Sequence, residues 1–309
     1  MAEQSESTYD VIVIGAGPAG LTAGMYASRQ GLATAIIAGE VGGQAMWATE
    51  VDNYLGWRLI TGAELVRNFR DHVAGFGVSC IEGQLVNAIV PADDGFEVFT
   101  REGTVLRGRA VVIATGRAHN RLAVPGETAL VGRGVSYCAT CDAAFFRDRD
   151  VAVVGPGESA ADAALELAAL GARVTVVTHR PLKVPEAMAR RLAEAPAVTV
   201  REGLKVTAIV GEDRVTAIEV TPAAGGTSET LPVSGVFIES GAIPASEYTG
   251  GLVEVNERGE IVIDKACATS VPGIFAAGDV TDTPGKQIII AAGEGARAAM
   301  SAARHLTRS

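Results

Sequence analysis

Basic charge is in short supply: 26 Lys and Arg face 36 Asp and Glu across 309 residues, leaving a formal net charge of −10. A nucleic-acid binder neutralises phosphates with a basic patch. No such patch offsets the deficit, so nucleic acid is excluded as a partner, as is an anionic membrane surface. Long apolar runs are missing too. No stretch approaches the roughly 18 uninterrupted apolar residues of a membrane span, and none is expected. The opening MAEQSESTYD is polar and carries no cationic region ahead of an apolar run, so no signal peptide is expected. Cysteine occurs at positions 80, 138, 141 and 267 alone. Without a secretory signal these do not read as a structural disulfide framework, and a cytoplasmic protein is the expectation.

Aromatic residues are also few, 5% of the chain, whereas Gly is plentiful at 37 residues. That balance suits tight turns and close backbone approaches, as in α/β nucleotide-binding folds. With 48% hydrophobic and 20% charged residues the chain can bury a sizeable core, and its length suits about two domains. An acidic chain can still hold an anionic cofactor, because helix N-termini supply positive potential locally.

The main organisational feature is a repeat. Residues 9–38, YDVIVIGAGPAGLTAGMYASRQGLATAIIA, read as a buried strand, a glycine turn, a helix and a second strand. Residues 150–179, DVAVVGPGESAADAALELAALGARVTVVTH, repeat that order, with Gly15 and Gly155 lying 140 positions apart. Each unit runs on into alternating segments resembling a β-meander, roughly 81–114 and 198–238. Each meander closes in a similar turn, VVIATG (111–116) and VFIESG (236–241). A third segment holds an apolar strand ending in Gly278-Asp279 and an alanine-rich helical stretch from Lys286 to His305. One dinucleotide unit interrupted by another explains this order. The predicted fold is α/β with two Rossmann-like, three-layer ββα domains, the second inserted into the first. The first spans 1–117 and 245–309 and the inserted one spans 118–244.

Three motifs carry chemistry. GAGPAG (15–20) lies between strand and helix, where Gly15 permits the turn, Gly17 lets backbone approach a pyrophosphate and Gly20 allows close packing. The strand after the helix is expected to end at Ala38-Gly39, with Glu40 slightly late for a ribose-binding acid. Asp279, at its own strand end, suits a flavin's ribityl chain. CATC (138–141), followed by Asp142, is the expected chemical centre. Its spacing allows a disulfide at the start of a helix, where the macrodipole favours a thiolate. Zinc would need further ligands at matching spacing, and the histidines at 72, 119, 179 and 305 are scattered. Asp142 is a helix cap, a proton donor to the outgoing thiolate, or both. Cys80 and Cys267 read as small apolar residues.

In the second glycine motif, Gly155, Gly157, Ser159 and Ala160 occupy the nucleotide-binding positions. Pro156 removes one amide from the turn and Glu158 adds an acid beside it. No acid follows the second strand to hold a free 2′-hydroxyl. His179, Arg180 and Lys183 stand there instead and suit a 2′-phosphate, with a solvated basic turn as the alternative.

Together these residues resemble the low-molecular-weight thioredoxin reductase family over essentially the whole chain. The resemblance rests on GAGPAG, GGQ (42–44), TEVDNYLGW (49–57), ATG (114–116), YCATCD (137–142), GPGESA (155–160) and TSVPGIFAAGDV (269–280). The ending KQIIIAAGEGARAAMSAARHL (286–306) also looks like the flavoprotein reductase of peroxiredoxin systems. The resemblance implies a homodimer, FAD, NADPH, and thioredoxin or a thioredoxin-like protein as acceptor. It extends the FAD set to Pro18, Ala19, Gly39, Glu40, Gly43, Gln44, Asn53, Val86, Thr115, Gly116, Lys286, Gln287 and Ile288. It also implies that Cys141 meets the flavin and that Asp142 manages a proton.

Three departures from the family pattern lie where a nicotinamide nucleotide docks. His-Arg-Arg is here His179-Arg180-Pro181, Gly-His-x-Pro is Gly241-Ala242-Ile243-Pro244, and the residue before the final Gln is Lys286 after Gly285. They open an alternative in which ferredoxin or another donor replaces NADPH. A dithiol oxidase is a further alternative, although such oxidases carry His where Asp142 stands. A non-enzymatic redox sensor would bind the nucleotide without turnover.

Overall fold

The computed structural model describes residues 8–308. The polar amino-terminal segment that carries the signal-peptide reading, and Ser309 at the end of the expected first domain, lie outside the described residues.

The chain divides into two compact units, one built from residues up to 118 and from 243 onward, the other from His119–Ala242. The first opens with β1 (Thr8–Ala16), α1 (Pro18–Arg29), β2 (Thr34–Val41) and α2 (Gly62–Ala74). Then come β3 (Ser79–Glu82), β4 (Val86–Ala92), β5 (Gly95–Thr100), β6 (Val105–Ile113) and β7 (Arg117–His119). The second unit starts with β8 (Val135–Ser136), α3 (Ala139–Asp142), β9 (Asp150–Val154), α4 (Glu158–Ala169) and β10 (Arg173–Thr178). It continues with α5 (Glu186–Glu194), β11 (Val198–Glu202) and β12 (Leu204–Val210). β13 (Ala217–Pro222), β14 (Glu229–Pro232) and β15 (Gly235–Ile238) complete it. β16 (Ala242–Pro244) returns the chain to the first unit, which ends with β17 (Ile274–Ala276) and α6 (Ile288–Leu306). The outgoing strand β7 and the returning strand β16 pair with each other.

Both units share one sheet plan. In the first, β3, β2, β1, β6 and β17 lie side by side in parallel. In the second, β11, β10, β9, β15 and β8 do the same. β6 is long enough to serve twice, because its first half also pairs antiparallel with β5, which pairs with β4. β12, β13 and β14 form the corresponding antiparallel meander as a separate sheet. The sequence reading began each meander too early. Ser79–Glu82 and Val198–Glu202 are parallel edge strands on β2 and β10.

Strands buried on both faces lose the polar–apolar alternation and read as apolar runs. In β1, Val11 and Val13 join the cluster that contains α1 and α6 residues. Ile12 and Ile14, pointing the other way, pack with Ile89, Phe96 and Val98 of the meander. The second unit repeats the arrangement: Val151 and Val153 pack with α4, and Ala152 and Val154 with the meander. Each parallel sheet thus lies between helices and an antiparallel layer, the expected three-layer ββα stack. Among the described residues no helix is long and apolar enough to cross a membrane.

The alanine-rich stretch forms α6 from Ile288, with Gln287 at its N-cap. Small residues there let α6 press on α1: a Cβ added at Gly295 would overlap the Ala19 carbonyl oxygen, whereas one added at Gly293 meets nothing within 4 Å. Gly295→Ala is therefore expected to destabilise the protein by about 1–3 kcal/mol. Gly293→Ala should be neutral or stabilise it by about 0.5–1 kcal/mol. Urea unfolding of the two variants checks the contrast, and equal behaviour would refute the close α1–α6 approach.

Candidate functional site

The first glycine motif forms the turn from β1 into α1. Gly15 has φ +107°, a left-handed conformation, and a Cβ there would overlap the Ala114 carbonyl oxygen at the end of β6. Gly20, in the first turn of α1, sits on the Gly15 carbonyl with equally little room. Gly17 is different: a Cβ there would meet only the Gly42 oxygen at 4.0 Å. Gly17 is the N-cap of α1, Pro18 follows, no side chain caps the helix and no acid lies in its first turn. The first amides of a helix have no intrahelical acceptor. A bare N-terminus of this kind, with Ala19 and Gly20 in its first turn, presents those amides and the positive end of the dipole to an anion.

The other residues read as FAD-binding gather in the same unit. β2 runs on to Val41, which pairs with Ala16, so Gly39 and Glu40 lie inside the strand rather than beyond it. The exposed Glu40 therefore stands at the strand's carboxyl end, where a ribose acid belongs. The Gly42 N–H donates to the Ala16 carbonyl at 2.8 Å. That bond draws Gly43 towards Gly17, so that a Cβ on Gly43 would lie 3.7 Å from the Gly17 Cα. Gln44 Nε2 donates to the Arg117 carbonyl. The Thr115 hydroxyl donates to the Ala245 carbonyl at 2.7 Å, and the Gly116 carbonyl accepts the Ala245 N–H at 2.9 Å. Val86 opens β4 beside Leu85, whose side chain covers Gly39. Asn53 Nδ2 donates to Gln287 Oε1 at 3.2 Å, and Ile288 packs with Val51, Ile60 and Leu65.

Gly278 (φ +79°) lies against Ala19 and Ala291, which brings the β17 turn to the start of α1. Burial holds the neighbouring Asp279 carboxyl above its usual range, opposed first by Arg117 and then by Lys286. Arg117 Nε is 3.3 Å from Asp279 Oδ2. Lys286 Nζ donates to the Thr281 carbonyl and lies 3.6 Å from Glu260. The Gly278 N–H donates to Glu294 Oε2 at 2.7 Å. Arg117 Nε and Glu294 Oε1 are buried without a hydrogen-bond partner. Sequence reasoning missed Arg117 and Glu294. Neither carries a motif, and a Glu inside an alanine-rich helix gives no sign of burial. An uncapped helix start, an open Gly17 and buried polar atoms fit a dinucleotide such as FAD.

In the second unit Cys138 and Cys141 form a disulfide, with Cα atoms 5.3 Å apart. The Cys138 N–H donates to Ser136 Oγ at 3.0 Å, and the Ser136 hydroxyl donates back to the Cys138 carbonyl at 3.2 Å. The N–H groups of Cys141 and Asp142 donate to that carbonyl at 3.3 and 3.2 Å. The Thr140 hydroxyl donates to Glu166 of α4 at 3.1 Å. The expected dipole effect does not arise. α3 is four residues long and passes into a 3-10 turn, Ala143–Phe146, so too few peptide units align. Asp142 closes α3 and makes no side-chain cap to the turn that follows, which corrects the capping role read from the sequence. Among the described residues no group of three or more His, Cys, Asp or Glu could hold a metal. Cys267 is buried, with its thiol pushed up to about 11 by desolvation, whereas Cys80 is exposed and departs from the small apolar reading.

The second glycine turn matches the first in outline and differs in detail. A Cβ at Gly155 would overlap the Glu239 carbonyl oxygen, and Gly157 is again an uncapped N-cap with open space. Ser159 Oγ donates to the Glu239 carbonyl at 3.5 Å, and Ala160 is buried. Glu158 is the first residue of α4, an acid where α1 has none. The Pro156 carbonyl accepts the Lys183 N–H at 2.8 Å, folding that segment back on the turn. The Thr178 hydroxyl donates to the Arg180 carbonyl at 2.8 Å, leaving the side chains of His179, Arg180 and Lys183 on the surface.

A family model described as pyridine nucleotide-disulphide oxidoreductase matches residues 9–301. The alkyl hydroperoxide reductase F subunit of Staphylococcus epidermidis is 37% identical over 302 residues, 97% of this chain and 60% of the relative. The chain thus spans about three fifths of that curated relative's length. Among solved structures, thioredoxin reductase from Streptococcus pyogenes superposes with a TM-score of 0.94 at 36% identity, covering 99% of this chain and 100% of the other. Thioredoxin reductase from Giardia duodenalis gives 0.92 at 30% identity, covering 98% and 100%.

The raised Asp279 value has a sign that can be tested. A carboxyl whose folded-state pKa exceeds its unfolded value, about 3.9, stabilises the fold below the unfolded value and loses that stabilisation as pH rises through the folded value. Asp279→Asn removes the buried charge. The FAD-free variant is expected to unfold at higher urea than wild type at pH 7, with the gain shrinking towards pH 4. A variant less stable at pH 7 would show that Arg117 and Lys286 outweigh burial.

Proposed function

The chain belongs to the pyridine nucleotide-disulphide oxidoreductase family, and from that premise we propose that it carries electrons to the Cys138–Cys141 disulfide and on to thioredoxin or a thioredoxin-like protein. The family's enzymes are FAD-dependent, with NADPH as the usual pyridine nucleotide. The observation that carries the reading is the disulfide itself: a CxxC pair half-buried in a short turn of a unit that also holds a nucleotide-type glycine turn.

FAD, when bound, supplies two-electron chemistry between a nicotinamide and a disulfide. The chain's own residues do the rest. In the first unit, the first amides of α1 would hold the pyrophosphate of FAD, Glu40 its ribose and Asp279 its ribityl hydroxyls. In the other unit, Cys138–Cys141 takes up two electrons and two protons and opens to a dithiol, with Asp142 supplying a proton beside Cys141. One thiolate then attacks the acceptor's disulfide, and the other resolves the mixed disulfide, leaving the acceptor reduced and Cys138–Cys141 closed again. A second copy of the chain is proposed as the homodimer partner. Exposed Trp47, Leu55, Trp57 and Leu59 on the segment before α2 supply apolar surface for a protein contact.

The donor admits a second reading. Pro156 has no N–H, and Glu158 places a negative charge on the first residue of α4, both unfavourable for a nucleotide pyrophosphate. Arg180 and Lys183 favour NADPH through its 2′-phosphate. The second reading keeps the disulfide chemistry and takes electrons from ferredoxin or a similar donor.

Anaerobic titration of the FAD-loaded protein, followed at the flavin's visible absorbance, separates the two. Bleaching by NADPH and far less by NADH, with that preference lost in Arg180→Ala, is the expected result. No bleaching by either, with full reduction by dithionite, would mean that the second nucleotide site is vestigial and would exclude a nicotinamide nucleotide as the donor. Cys138→Ser and Cys141→Ser are each expected to retain FAD and to lose disulfide reduction. Turnover in either single variant would overturn the mechanism.

A further inference from the structure

The residue that leads into the disulfide, Tyr137, is held by a buried carboxylate that the reaction described above does not use. Glu127 is 1% exposed and accepts four hydrogen bonds. Three come from successive backbone amides, Leu122 at 3.1 Å, Ala123 at 2.7 Å and Val124 at 3.4 Å. The fourth comes from the Tyr137 hydroxyl at 2.7 Å. Ala123, in the middle of that turn, has φ +57°, a conformation that a residue with a Cβ seldom adopts without being held. On its other side the Tyr137 ring stacks on His119, with centroids 5.1 Å apart and planes 16° from parallel. His119 is the first residue of this unit. Burial, reinforced by Glu127, pushes the Tyr137 phenol well above its ordinary range, so it stays a donor at any working pH. Tyr137 directly precedes Cys138.

We propose that Glu127 and Tyr137 are positioning residues for the redox pair, a buried strut that keeps Cys138 in place for ring closure when its bond to Cys141 is open. The proposal rests on the reading of that pair as redox-active. While the disulfide is closed, the covalent bond restrains Cys138. In the dithiol that restraint is gone. The equilibrium between dithiol and disulfide then depends on how often the backbone returns the two sulfurs to bonding distance, an effective-concentration effect. On the Cys141 side the turn is tied to α4 through Thr140 and Glu166. On the Cys138 side the Ser136 bonds are local, between residues two apart. Pairing of β8 with β15 anchors Val135 and Ser136, and the Tyr137–Glu127 bond adds a side-chain tether at the residue that adjoins Cys138.

Loss of the strut lowers the effective concentration of one thiol at the other and disfavours the disulfide. The exchange that reads this is balanced: reduced dithiothreitol gives two electrons and two protons to Cys138–Cys141, forming two thiols and cyclic oxidised dithiothreitol. It needs neither electron donor nor protein acceptor. The full chain, its Tyr137→Phe and Glu127→Gln variants, and Ile218→Val as a destabilised control would be equilibrated anaerobically across reduced and oxidised dithiothreitol mixtures. Alkylation and peptide mass spectrometry then count the thiols at 138 and 141 separately from those at 80 and 267. Tyr137→Phe is expected to shift the equilibrium constant towards the dithiol by about threefold to tenfold, a part of the roughly tenfold to hundredfold that complete loss of one charge-assisted hydrogen bond in a single state corresponds to. Glu127→Gln should shift it in the same direction and Ile218→Val should not shift it. If Glu127→Gln does not fold, Tyr137→Phe decides alone. A Tyr137→Phe curve that overlays wild type, or an equal shift in Ile218→Val, overturns the proposal. A wild-type disulfide that resists every ratio would instead overturn the redox reading on which it rests.

Discussion

The first turn of α1 is the point where main chain meets main chain with no side chain between. Gly20 rests on the Gly15 carbonyl, Gly15 on the Ala114 carbonyl and Gly295 on the Ala19 carbonyl, while Gly278 touches the Ala19 side chain. Strands β1 and β6, the turn after β17, and helix α6 are all positioned by these approaches. A site assembled this way is made of amides and a helix end rather than charged side chains. That is how a chain with net charge −10 can offer a home to a cofactor carrying a pyrophosphate. The same closeness makes the site unforgiving, since any Cβ at Gly15 or Gly20 meets backbone, which cannot swing aside as a side chain can.

The second unit shows which parts of this plan are structural and which are chemical. Its parallel sheet has the same order, its strands split their residues between a helical and a meander face in the same way, and Gly155 makes the same kind of approach to the end of the neighbouring strand. What differs is what a ligand would feel: a proline in the turn, an acid on the first helical residue, and the Pro156 carbonyl engaged by Lys183. Packing demands are met in similar ways in both units, although Ala160 stands where the first unit has Gly20. The electrostatic ones diverge, so the two turns need not bind their nucleotides equally well even though the fold repeats.

This division also explains what could be read from the residues alone. β1, β2, β9 and β10 are legible because burial on both faces forces apolar runs, and the turns between strand and helix are legible because glycine is required there for steric reasons. The CxxC spacing allows a disulfide, and one forms. Less legible was anything set by partners distant in sequence. That Ser79–Glu82 joins β2 in parallel rather than starting the meander depends on pairing across about forty residues. The extension of β2 through Glu40 depends on Val41 finding Ala16. The one-turn length of α3 depends on where Ala143–Phe146 must go, and a helix dipole inferred from sequence had no means of registering that. Glu127, Arg117 and Glu294 look like ordinary charged residues until burial singles them out.

Buried carboxylates do different work in the two units. Glu294 accepts one amide of the turn that carries Asp279 and so fixes the path of that turn. Glu127 holds three amides and a phenol beside a bond that must open and close. A binding turn gains from rigidity throughout. A redox pair gains from it mainly in the open state, because the closed state already carries a covalent restraint. Rigidity on the Cys138 side therefore biases the pair towards closure, and a pair that favours closure is the better reductant, since transferring its electrons to another disulfide runs in the direction that closes its own ring.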